Sequence, residues 1–169
     1  MSNLKYLLLS IGLLCGSASG FELFNALPPE VADANWERTP FQVLMNPHEA
    51  EPLIWIGAIE GFEIKEGEEG LQLEWLCRHL TFADNGPEAI RGRPIAVLDS
   101  KEGSFIVTLT TDMSLAHAQR MREEFKEKQH YILVAGFYEA TELHDNEMAV
   151  KVHAAKMELS DELVEFVAQ

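Results

Sequence analysis

The chain is short of cysteine, of basic residues and of long apolar runs, and each shortage removes a class of function. Only Cys15 and Cys77 occur in its 169 residues. Once Cys15 is acylated or cut away, no pair of free thiols is left to form an intrachain disulfide. Lys and Arg number 13 against 28 Asp and Glu, a net charge of -15. That balance repels phosphate backbones and no basic stripe offsets it, so nucleic acid is not an expected partner. The apolar stretch Tyr6 to Leu14 covers nine residues, whereas a membrane-spanning helix needs about 18 or more. There is no Gly-rich phosphate loop, no serine elbow and no His pair at the one-face spacing of a zinc motif. His144-Asp145-Asn146-Glu147 reads as a turn. The expectation is a non-enzyme with no catalytic residue, no metal and no cofactor.

What is present at the start is a sorting signal. Lys5 supplies a positive n-region, Tyr6 to Leu14 an apolar h-region, and Gly16 to Gly20 a run of small residues, the layout of a secretory signal peptide over residues 1–20. Two processing modes fit different residues. Ala18-Ser19-Gly20 satisfies ordinary signal peptidase and would leave Phe21 as the new N-terminus. Cys15, directly after the h-region, has the position of an acylated lipoprotein cysteine, although Leu14 stands where that pattern wants a small residue. Cys15 is therefore the candidate lipidation site, and both fates stay open. Cleavage after Gly20 leaves 149 residues and, with Lys5 gone, a charge of -16, an ordinary size for one domain.

Residues 21–50 are Pro-interrupted and acidic and read as a leader or tether. Thr39-Pro40 within them offers a cap and a first-turn proline for a short helix over "FQVLM". Residues 51–169 read as the folded domain. Leu53 to Ile64 is a long first strand, bent at Gly57 and Gly61. After the turn "KEGEEG", the segment "LQLEWLCRHLTF" alternates as a second strand, with Leu71, Leu73, Trp75 and Cys77 on one face and Gln72, Glu74 and Arg78 on the other. A third strand begins at Phe105. Ser114 caps a helix to Lys128 in which Leu115, Ala118, Met121 and Phe125 recur at helical spacing. A hairpin across "LHDN" closes the set, and Ser160 caps a short terminal helix. Three meandering strands, a helix and two more strands predict a mainly β fold: a small five-stranded OB-like barrel with its helix between strands 3 and 4.

With these segments in place the chain resembles the Slp family of starvation- and stress-associated outer-membrane lipoproteins. The residues that carry the likeness are "LPPE" (Leu27 to Glu30), "IWIGAI", "LQLEWL", "GRP" (Gly92 to Pro94), "EGSF" (Glu102 to Phe105) and "YILVAG" (Tyr131 to Gly136), in the family's order. The resemblance implies an envelope protein, on the periplasmic face of the outer membrane if lipidated at Cys15. It implies no catalytic residues.

Cys77 and His79 share a strand face, as a nucleophile and its base would. That face also holds Leu71, Leu73 and Trp75, so the expectation is a buried, inert cysteine with His79 half exposed at the strand's end. The basic pair Arg91 and Arg93 and the aromatics Trp55, Phe62, Phe137 and Tyr138, where these lie outside, are the candidate binding surface; alternation assigns at least half of the aromatics to the core. Two functions compete. One is a non-catalytic envelope scaffold or adaptor contacting another envelope protein; the other is a periplasmic small-ligand or glycan binder. A filled barrel with a charged face favours the first, and an exposed aromatic groove the second. Membrane contact is expected only through an N-terminal lipid.

Overall fold

The computed structural model describes residues 27–48, 51–83, 95–161 and 164–166. After a 3-10 turn at Pro29–Val31 come α1 (Pro40–Met45), β1 (Pro52–Gly67), β2 (Gly70–Phe82), β3 (Ile95–Thr111), α2 (Leu115–Glu127), β4 (Tyr131–His144), β5 (Glu147–Ser160) and β6 (Val164–Phe166).

β1 pairs antiparallel with β2 and β4, β2 with β3, and β4 with β5; a parallel pairing of β3 with β5 closes the ring. The circuit β1-β2-β3-β5-β4, with α2 between β3 and β4, is the OB-like barrel that the strand pattern predicts. Closure needs long strands that bend. β1 does so at a register shift between Ile59 and Gly61, pairing with β4 over Pro52 to Ala58 and with β2 from Ile56 to Gly67. Gly57 sits where the wall lies close against Phe105: a Cβ there would lie 2.7 Å from the Phe105 ring and 2.9 Å from the Cys77 Cβ.

The interior is packed solid by Leu53, Trp55, Leu73, Trp75, Phe105 and Val152, with the smaller Cys77 among them. Helices close the two ends. α1 packs on β3 and β5 and inserts Val43. It is held by a capping box in which Thr39 Oγ1 accepts from the Gln42 N–H and Gln42 Oε1 accepts from the Thr39 N–H. α2 follows the far end of β3 and inserts Ala118 and Met121, its first turn capped by Ser114, which accepts from the His117 N–H at 3.3 Å. The β4–β5 turn is Asp145-Asn146, with φ of 45° and 70°, the left-handed pair that a two-residue hairpin of type I′ requires.

Three sequence expectations need correction. The third strand begins at Ile95, not at Phe105. Val97, Leu98 and Asp99 already pair with β2, and Ser100 to Gly103 are a bulge opposite His79, with φ of 53° at Lys101 and 100° at Gly103. Among the described residues the terminal helix expected after Ser160 is not formed: Ser160 ends β5, and Val164–Phe166 form β6, which adds in parallel to the start of β3. The longer β3 supplies the free edge that draws these residues into a strand. Finally, residues 27–48 are docked on the barrel and are no tether. Val31 is fully buried against Ile54, Ile56, Leu133 and Ala135 on the outside of β1 and β4, forming a second small core that Trp36 and Phe82 extend edge to face. Cys15 and the 1–20 segment lie outside the described residues.

Candidate functional site

In an OB-like barrel the outer face of β2 and β3 is the surface open to ligands. Alternation puts Gln72, Glu74, Leu76 and Arg78 of β2 on that face, beside Ser104, Ile106, Thr108 and Thr110 of β3. Glu74 and Thr108 stand opposite each other, and both are buried. Their cover is the protein's own side chains. Lys151, on β5, sends its stem across β3 so that Nζ lies 3.0 Å from Glu74 Oε1 and 2.7 Å from Glu142 Oε2. Lys65, on β1, reaches Glu74 Oε2 at 2.6 Å from the other side. Thr108 Oγ1 donates to Glu139 Oε2 at 2.6 Å.

The electrostatics follow from this enclosure. Burial pushes the Glu74 carboxyl up, but hydrogen bonds and charge from Lys65 and Lys151 outweigh it and hold the group below the ordinary carboxylate range. For Lys151, burial works against the charge, while Glu142 and Glu74 more than restore it, and its pKa is raised. A second cluster continues along the sheet. Arg78 bridges Glu60 at 3.0 Å and Asp99 at 2.7 Å. The face is thus a lattice of satisfied ion pairs.

The aromatic candidates do not form a platform. Trp55 is a core residue, 1% exposed, its indole N–H donating to the Arg38 carbonyl and its ring against Phe105 and His79. This removes it from the candidate surface and agrees with the expectation that at least half of these aromatics turn inward: the strand's inward face takes the largest ring because the barrel interior must be filled. Phe62 is half-buried between Trp75 and Phe125, with ring centroids 5.1 Å from each, roofed by α2. Phe137 packs into the outer cluster under the 27–36 segment, and Tyr138 against the barrel core. The structure brings none of these four together. Arg91 and Arg93 lie outside the described residues.

Cys77 is fully buried, and burial, aided by the Glu60 charge, raises its thiol pKa well above the ordinary value. His79 is buried as well, not half exposed, because the bulge at Ser100 folds over it. Ser100 Oγ donates to the His79 carbonyl at 3.1 Å and lies 2.8 Å from Nδ1, so Nδ1 carries the proton toward Oγ. Burial lowers the His79 pKa to about 4. The Glu74–Lys151 network is what sequence reasoning missed. Its one trace was Lys151, set between Val150 and Val152 in the apolar part of β5.

Among the described residues no group of three His, Cys, Asp or Glu is placed to hold a metal, and no helix is long and apolar enough to cross a membrane. An open cleft of about 320 Å³ lies between the β1–β2 turn and the start of α2, with Glu66, Leu71, Asp112 and Leu115 in its walls. Fold and surface together define a small acidic OB-like barrel with a filled interior and an ion-paired outer face. Set against protein-family models, curated proteins and solved structures, the chain matches none.

Proposed function

We propose that the protein is a non-catalytic scaffold or adaptor domain of the cell envelope, exported by residues 1–20 and working through contacts with another envelope protein. The observation that carries this reading over glycan or small-ligand binding is the outer face of β2 and β3. Glu74, Lys65, Lys151 and Glu142 are already engaged with one another there, and the aromatic rings that would stack on a sugar are turned inward or roofed. The enclosed, high-pKa Cys77 supports the non-catalytic part, since a thiol in that state is no nucleophile.

The export signal supports an envelope location, and the position of Cys15 together with the Slp resemblance supports an outer-membrane lipoprotein facing the periplasm. Cell fractionation with mass spectrometry of the mature N-terminus tests the location. A mature chain beginning at an acylated Cys15 or at Phe21, in the envelope fraction, is the expected result, and a Cys15→Ser variant separates the two fates by detergent partitioning. A chain that keeps Met1 and stays in the cytoplasm overturns the proposal.

A further inference from the structure

Five large apolar side chains are exposed among the described residues: Phe41, Met45, Leu115, Leu143 and Met148. Four of them gather at one end of the barrel. α1 lies over β3 and β5. The backbone of Phe41 comes within 3.9 Å of where a Cβ on Gly103 would stand. Phe105 pairs with Val150 in the parallel β3–β5 ladder, so two residues back along each strand Gly103 and Met148 stand at the same level. Leu143 faces Met148 directly across the β4–β5 hairpin. Met45 is one helical turn from Phe41 on the same side of α1. The row Met45, Phe41, Met148, Leu143 therefore runs from the helix onto the hairpin, while Leu115 sits at the opposite end as the first residue of α2.

The exposed charges that border this row are mainly acidic. Glu102 lies in the β3 bulge and Asp145 and Glu147 in the hairpin, all three exposed. Lys101 is the exposed cation of the bulge, whereas the hairpin's Lys151 is spent on Glu74 and Glu142. A second copy would meet that border with the same charges on a chain of net -15, and an anionic lipid surface would be repelled in the same way.

We infer that the α1 and β4–β5 end of the barrel is a docking surface for a peptide segment of another protein that carries an apolar face flanked by lysine or arginine. Apolar side chains of the segment would cover Phe41, Met45, Leu143 and Met148, and its cations would face Glu102, Asp145 and Glu147. The inference names the partner chemistry for the adaptor reading, yet it is tested on purified protein, so its failure and a failure of the envelope location are separate results.

The probe is an 18-residue amphipathic peptide of leucine and lysine, with a leucine and glutamate counterpart, titrated by fluorescence anisotropy against the protein as cells mature it. We expect binding of the lysine peptide alone, weakening as salt is raised. Phe41→Ser and Met148→Ser should each lower affinity at least tenfold, and Leu115→Ser should leave it unchanged. All three sites are exposed, so the variants fold, which circular dichroism verifies. The inference is overturned if no peptide binds, if both peptides bind, or if every variant binds as well as the parent, which marks diffuse charge attraction. It is equally overturned if the same substitutions abolish self-association in sedimentation, or adsorption to vesicles of neutral lipid, without changing peptide binding.

Discussion

Lys151 reaches over strand β3 to place its ammonium 3.0 Å from the Glu74 carboxylate, and the two residues are 77 positions apart in the chain. Thr108 lies beneath the crossing, and Ile106 beside it stands opposite Lys151 in the β3–β5 register; both are thereby shielded from water. The pair acts as a lock on the closing seam of the barrel as well as a charge pair.

Glu74→Gln should destabilise the fold by about 2–4 kcal/mol, because it leaves two ammonium groups facing a neutral amide, and breaking a buried pair from one side is costly. Lys151→Met keeps the apolar stem over β3 and leaves Lys65 on Glu74, so a smaller loss is expected. Since the Glu74 carboxyl is depressed in the fold, its contribution is present above the ordinary carboxylate range and is lost as pH falls through the depressed value. Urea titration of the two variants and their double checks this; equal losses for both singles would show that the carboxylate has no special place in the network.

His79 makes the fold acid-sensitive in a different window. The native imidazole resists protonation to about pH 4, whereas its ordinary value is 6.5. Between these values the unfolded chain binds a proton that the native chain does not. Stability is therefore fully present above pH 6.5 and falls as pH drops toward 4, by about 2 kcal/mol between pH 7 and pH 5. The depressed carboxylates contribute only below that span. Denaturation curves at pH 7 and 5 should show the drop in the parent and a flat response in His79→Asn.

How much of this was legible in the sequence depends on the range of the interaction that decides it. Period-two alternation placed Leu73, Trp75 and Cys77 inward, and helical spacing with a Ser114 cap placed α2, because those signals are local. The barrel order followed from counting elements. The buried His79 and the Glu74–Lys151 lock were not legible, since each depends on a strand brought near only by closure. The β6 strand was misread as a helix for the same reason: its partner is the edge of β3, some 70 residues earlier. The capped segment Ser160 onward had a local helix signal that the edge overrode.

Removing the α2 cap should cost a local amount. Ser114 accepts from the His117 N–H at the first turn, and Ser114→Ala is expected to lower stability by about 1 kcal/mol, the common loss for an N-cap oxygen. Ser114→Asp should retain the stability or improve it, since the carboxylate caps the same N–H and meets the positive end of the helix. Thermal melts of the three proteins decide the matter, and a loss with aspartate equal to that with alanine would mean that the side chain has no capping role.

The tightest test of barrel closure is Gly57. Its missing side chain lets Phe105 cross the interior, and a Cβ would stand 2.7 Å from that ring and 2.9 Å from the Cys77 Cβ. Backbone and ring are both held, the first by pairing with β2 and β4, the second by Trp55 and His79. Gly57→Ala should accordingly cost about 1–3 kcal/mol through overpacking, although alanine is otherwise the better strand residue. Phe105→Leu removes the atoms that the new methyl would strike, at the expense of a cavity when made alone. Combined, the two substitutions should cost clearly less than their sum, a favourable coupling of about 1 kcal/mol or more in a double-mutant cycle. Additive losses would show that the wall at Gly57 gives way by itself, and the approach of β1 to β3 would then not be what sets the barrel's width.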